Sequence, residues 1–212
     1  MNVPATPAGE GKPGRNQTRL LFRSVRWRKP APPPRQINRP VPARDVPGKI
    51  RQINVKPQVK GEHGLPKMPV ASAFVTGAGI EGDFNVYRHE ERQDDPDQAL
   101  LLMPIEKIRE LNSEGWPIKP GDLGENFTTS GIPYEAFSIG KVYASGRVRL
   151  QITKACDPCD NLFLLPYVGG SRGPGFLKVM LGRRGWYARV LEEGRVNTGD
   201  RLTEESAEST SI

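Results

Sequence analysis

The chain has little of what a secreted, membrane-spanning or zinc-bound protein needs. Two cysteines in 212 residues cannot build a secreted disulfide framework. The two histidines, His63 and His89, lie apart in separate loops and lack the paired spacing of a zinc finger. No apolar run approaches the ~18–20 residues that cross a bilayer, so no membrane partner is expected. The first residues show no apolar stretch of a secretory signal. The expected setting is cytoplasmic and reducing, which leaves both thiols available for chemistry. Regular alternation of strands with long helices is also missing, which argues against a doubly wound parallel sheet.

Acidic residues are scarce at one end. Residues 1–50 carry 11 Lys/Arg against 2 Asp/Glu, and residues 51–212 carry 20 against 22. The net charge of +7 therefore belongs to the N-terminal stretch, and nucleic acid is not expected as a partner of the folded part. Residues 1–48 also hold ten of the 21 prolines. Few apolar side chains there offset the entropy of ordering, so a disordered basic tail is expected. Leu20-Leu21-Phe22 with Val25 and Trp27 is a candidate docking motif within it. An Arg-rich, acid-poor start loosely resembles an organelle transit peptide; the plainer reading is a non-essential extension.

Residues 49–202 read as one mainly β domain, with a loose tail over 203–212. Lys49–Val55 alternates apolar with polar, as a half-buried strand does. Met68–Val75 reads as a second strand, followed by a tight glycine connection ending in Asp83. Residues 84–97 are polar and read as a surface loop. Ala99–Met103 is continuously apolar, a fully buried strand, and Pro104 suits the first turn of a helix that Gly115 ends. Residues 121–126 form a glycine-rich loop. Strands follow over 139–144, 148–152 and 186–191. Between the last two lie the cysteines and two short apolar segments, 162–165 and 177–181, flanking another glycine-rich loop. Many short strands and few short helices indicate a β-barrel or sandwich.

The stretch Thr153-Lys154-Ala155-Cys156-Asp157-Pro158-Cys159-Asp160-Asn161 holds both cysteines, where a strand pattern meets a short helix-like run. Four readings stand on the residues alone. It is half a zinc site, completed by His63 and His89; or a redox dithiol at a helix start, without the βαβ context of thioredoxin-like proteins; or a single working thiolate, a sulfur carrier or a ligand to a soft metal; or a pair of small buried residues with no chemistry. Pro158 stiffens the loop ahead of Cys159, and Asn161 can cap the following helix.

Several blocks in order resemble the MOSC domain family, named for the C-terminal part of molybdenum cofactor sulfurases. These are Gly64-Leu65-Pro66-Lys67 with Pro69-Val70; Gly79-Ile80-Glu81-Gly82-Asp83; Pro120-Gly121-Asp122-Leu123-Gly124-Glu125-Asn126-Phe127 with Gly131-Ile132; Pro158-Cys159; and Gly182 to Val190 with Gly194, Gly199 and Asp200. Together they span roughly residues 48–202. The resemblance implies a strongly bent β-barrel with a few short helices that binds the molybdenum cofactor. It makes Cys159 the molybdenum ligand of an oxidoreductase reducing N-hydroxylated compounds, or alternatively a persulfide-bearing sulfur carrier. Cys156 stands where many relatives have Arg, and His89-Glu90-Glu91 where relatives often have His followed by two glycines. A third reading is a non-catalytic binding module docking through its basic tail.

An anionic pterin-phosphate ligand suits several side chains here. Gly121 and Gly124 can turn backbone N–H groups toward it, and Asn126 offers amide donors and an acceptor. Lys154, Arg183 and Arg184 are candidate phosphate partners, and His89 is a candidate proton donor. Asp83, Glu125 and Asp200 read as turn-capping residues. The expected partners are a small-molecule substrate and a separate electron-donor protein, because no flavin, haem or iron–sulfur signature is evident.

Overall fold

A computed structural model describes residues 48–59, 62 and 64–205. The basic tail expected over 1–48, His63 and the last seven residues of the C-terminal tail lie outside the described residues, Gly48 excepted.

The chain is mainly β, built on a half-barrel. Eleven strands run β1 (Lys49–Val55), β2 (Met68–Val70), β3 (Ser72–Thr76), β4 (Gly79–Ile80), β5 (Leu100–Pro104), β6 (Phe127–Ser130), β7 (Val142–Ser145), β8 (Val148–Ala155), β9 (Trp186–Glu192), β10 (Gly194–Asn197) and β11 (Thr203–Glu204). Among the described residues three α-helices accompany them: α1 (Val86–Arg92), α2 (Ile105–Ser113) and α3 (Gly169–Met180). Eight strands form one sheet in the order β11-β7-β8-β9-β5-β6-β1-β2, and β10-β3-β4 form a second. Among the described strands only β5 and β6 pair in parallel, joined by α2 as a crossover.

Strand β5 separates two hydrophobic cores. Leu100 and Leu102 face the first, with Ile50, Ile53, Phe127, Leu150 and Val196. Met103 faces the second, with Ile108, Leu111, Leu123, Leu162, Phe176 and Met180. A strand covered on both faces has no solvent side to mark with polar residues, hence its continuous apolar run. In β1 the two core residues Ile50 and Ile53 are three apart. A register shift between Ile50 and Gln52 rephases the strand so that both point inward.

Three expectations differ from the structure. The single strand expected over Met68–Val75 is two strands in different sheets, broken at Ala71. The loop expected over 84–97 contains α1, whose cap Asn85 accepts from the Arg88 amide at 3.1 Å, and a 3-10 turn at Pro96–Gln98. The glycine-rich loop ahead of residue 177 is α3, despite four glycines and Pro174 within it. Tertiary packing overrides propensity there: Phe176 and Met180 are fully buried, and Gly173 lies flat on the Phe163 ring, where a Cβ would come within 2.4 Å. At the C-terminal end, Thr203 and Glu204 pair with β7.

Candidate functional site

Strand β8 ends at Ala155 and delivers both cysteines to one end of the half-barrel. Cys156 is buried, its amide held by the Gly185 carbonyl at 2.9 Å. Cys159 is half-buried and extended, just ahead of a 3-10 turn at Asp160–Leu164. Its side opens onto a cavity of about 230 Å³. Elements from across the chain meet there: Leu65 and Lys67 from the loop before β2, Asn85, Tyr87 and Arg92 from α1, Gly124 from the glycine loop, Lys154 from β8, and Arg184 and Tyr187 around the start of β9.

Arg184 is 6% exposed and makes the centre of this arrangement. Its Nη1 donates to Cys156 Sγ at 3.3 Å, to Cys159 Sγ at 3.6 Å and to the Asp157 carbonyl at 2.9 Å, and its Nη2 donates to the Leu123 carbonyl at 3.3 Å. It has no carboxylate partner among the described residues, and its Nε is buried without a hydrogen-bond partner. A buried guanidinium without a carboxylate is costly, and the two sulfurs are the soft acceptors that meet it. Burial pushes the Cys156 thiol up and outweighs the Arg184 charge, so Cys156 is held as a thiol. Burial also pushes the Tyr187 hydroxyl up, with Cys156 beside it.

Behind the cavity wall, one carboxylate ties three separate loops together. Asp83 pairs with Lys67 Nζ at 2.5 Å, accepts from the Lys56 amide at 2.7 Å, and accepts from Asn126 Nδ2 at 2.8 Å. Asn126 also accepts from the Leu101 amide at 3.1 Å, so its side chain is spent on the fold. Gly121 has a φ of +94°, and a Cβ there would lie 2.3 Å from the Lys67 carbonyl oxygen. Only glycine permits that approach. The Gly121 amide donates to buried Glu125 at 2.7 Å rather than into the cavity. Burial pushes the Glu125 carboxyl up, and its Oε2 has no partner.

Four of the residues expected from the sequence thus meet at the cavity: Cys159, Gly124, Lys154 and Arg184. Gly121 and Asn126 stand behind its wall. Arg183 turns the other way and pairs with Glu110 and Glu114 of α2 at 2.7 and 2.6 Å. His89 is exposed on α1, with Nδ1 3.0 Å from Asp94. Asp200 binds its own turn, accepting from the Asn197 amide at 2.7 Å, whereas Asp83, expected to cap a turn, instead ties distant loops through Lys67, the Lys56 amide and Asn126. Tyr87, Arg92 and Tyr187 were not anticipated. Tyr187 had a readable signal, since strand pairing sets it directly opposite Lys154, whose Nζ lies 5.8 Å from its ring centre. Tyr87 and Arg92 had none, because they come with α1.

The donor set fits a soft metal carrying an anionic arm. The half-buried Cys159 thiol is the group that would hold the metal. Arg92, the Arg184 guanidinium and Lys154, the last 3.5 Å from Asp95, would supply positive charge. The cavity is smaller than the roughly 300–1,000 Å³ of pockets that enclose drug-sized ligands, so it takes the reacting end of a ligand rather than a whole one. Among the described residues no group of three or more His, Cys, Asp or Glu side chains could hold a metal ion, so the zinc reading of the two cysteines gains no further ligands there. No helix among them is long and apolar enough to cross a membrane.

Comparison with known proteins agrees with this geometry. The family model described as "MOSC domain" matches residues 89–203. The uncharacterized protein YflK of Bacillus subtilis (strain 168) is 30% identical over 154 residues, 68% of this chain; the match spans 63% of that relative's length, less than two thirds. The crystal structure of YiiM from Geobacillus stearothermophilus is similar at a TM-score of 0.58 and 27% identity, covering 76% of each chain. That of the YuaD protein from Bacillus subtilis has a TM-score of 0.61 over 73% of this chain and 93% of its own, and at 21% identity it speaks for the fold alone.

Proposed function

Because the chain belongs to the MOSC domain family, a family linked to molybdenum cofactor binding, we propose that it is a molybdenum-dependent oxidoreductase in which Cys159 holds the metal. The observation that carries this is the Cys159 thiol on a cavity wall with Arg184, Lys154 and Arg92 around it. When bound, the cofactor supplies two-electron and oxygen-transfer chemistry, and the substrate class is N-hydroxylated compounds. This chain's own residues do the rest. Cys159 presents a soft sulfur at the end of β8. Arg184 fixes the two carbonyls of Asp157 and Leu123, and with them the shape of the loops on either side. Arg92 holds positive charge at the rim for an anionic arm, and Lys154 adds a cation that Asp95, 3.5 Å away, offsets in part. Lys67, neutralised by Asp83, anchors the wall rather than adding net charge. Electrons come from a separate redox protein.

The test is metal analysis of the full chain purified from a host that makes the cofactor. Stoichiometric molybdenum in the wild type and its loss in Cys159→Ser is the expected result. Molybdenum retained by Cys159→Ser refutes the ligand assignment, and a wild type without molybdenum refutes the proposal.

A further inference from the structure

The proposed function uses one cysteine and leaves the other idle. Cys156 is 1% exposed, three residues before Cys159, and it is not on the cavity wall. Yet a single nitrogen, Arg184 Nη1, lies 3.3 Å from its sulfur and 3.6 Å from that of Cys159. The two sulfurs therefore share one donor nitrogen, three residues apart in the chain. They differ in freedom. Cys156 is pinned by its backbone bond to Gly185, whereas Cys159 sits in an extended connection between β8 and the 3-10 turn, where its amide takes no part in a strand or helix. Cys159 faces the cavity and Cys156 stands behind it.

We propose that Cys156 is the resolving thiol of Cys159, and that the pair closes to an internal disulfide when Cys159 is oxidised in the absence of metal. The oxidant is a hydroperoxide. Cys159 sulfur attacks its terminal oxygen: the S–O bond forms, the O–O bond breaks, an alcohol or water leaves, and the sulfur loses two electrons to become a sulfenic acid. Cys156 sulfur then attacks the Cys159 sulfur. The S–S bond forms, the S–O bond breaks, and the departing hydroxide takes the Cys156 proton as water. Two thiols and one hydroperoxide thus give one disulfide, one alcohol and one water. Arg184 Nη1 donates to both sulfurs and so keeps the two near one point before the second step. A dithiol reductant reverses the change by exchange. The disulfide guards Cys159 against irreversible oxidation. Its further consequence, that the oxidised chain takes no metal until reduced, rests on the function proposed above.

The full chain is purified from a host that cannot make the cofactor, treated with an excess of hydrogen peroxide over the two equivalents that a sulfinic acid requires, unfolded, alkylated and mapped by mass spectrometry. Wild type is expected to lose both alkylatable thiols, to lose two hydrogens in mass and to show no cross-link between chains, with Cys156 and Cys159 in one cross-linked peptide. Cys156→Ala and Cys156→Ser are expected to carry Cys159 on to the sulfinic acid. Wild-type protein with sulfinic acid at Cys159 and Cys156 still alkylatable overturns the proposal, whether or not either variant folds. No metal enters this measurement. A chain that forms the disulfide but never takes molybdenum overturns only the function, and a chain that takes molybdenum but forms no disulfide overturns only the resolving role.

Discussion

Replacing Lys67 with Met tests whether the wall of the cavity stands on a buried ion pair. Lys67 and Asp83 side chains are 3% and 8% exposed and 2.5 Å apart. Met fills the volume of the lysine stem but leaves the Asp83 carboxylate with only two neutral donors, the Lys56 amide and Asn126 Nδ2. Breaking a buried pair by removing one partner costs about 3–5 kcal/mol, because the remaining charge stays desolvated. At 2–4 °C per kcal/mol for a domain of this size, Tm falls by roughly 6–20 °C. The double variant Lys67→Met/Asp83→Asn removes both charges and keeps the side-chain shapes. It should recover at least ~2 kcal/mol relative to Lys67→Met. Urea unfolding of the wild type, both single variants and the double variant gives the coupling by linear extrapolation. A coupling within about 0.5 kcal/mol of zero would mean that the two charges do not meet in a desolvated site, and the account of the wall would be wrong.

Gly121→Ala should cost about 2–5 kcal/mol, from the left-handed backbone and from a Cβ driven against the Lys67 carbonyl. Gly140→Ala, at a φ of +90° with nothing within 4 Å, should cost only about 1–2 kcal/mol, and urea midpoints compare the two. Arg183→Ala should cost about 0.5–1 kcal/mol, since its pairs with Glu110 and Glu114 are part-exposed, and should leave metal content unchanged by elemental analysis. Glu125→Gln tests the buried carboxyl through pH. Burial raises its folded pKa, so the carboxyl's favourable contribution is full below the ordinary carboxylate range and is lost as pH rises through the folded value. Wild-type Tm should therefore decline as pH rises above the ordinary carboxylate range, and Glu125→Gln should flatten that decline; parallel curves would show that Glu125 does not titrate abnormally.

The sequence alone determined what repeats along the backbone and what is chemically rare. Alternation in Lys49–Val55, the apolar run at Leu100–Met103 and the Ile105, Ile108, Leu111 spacing are local patterns that burial imposes directly, and they became β1, β5 and α2. Two cysteines in one short stretch marked the end of β8, and the ordered blocks around them marked the family. Tertiary structure decided everything that depends on which side chains meet. Arg183 and Arg184 are adjacent and alike in sequence, yet one pairs with two carboxylates of α2 and the other is buried with one nitrogen donating to two sulfurs. Asn126 looks like a ligand donor until Asp83 and the Leu101 amide claim its side chain. The glycines of α3 read as a loop until Phe163 is laid across Gly173. Each of these outcomes is set by partners between 10 and 73 residues away, where no local propensity carries information.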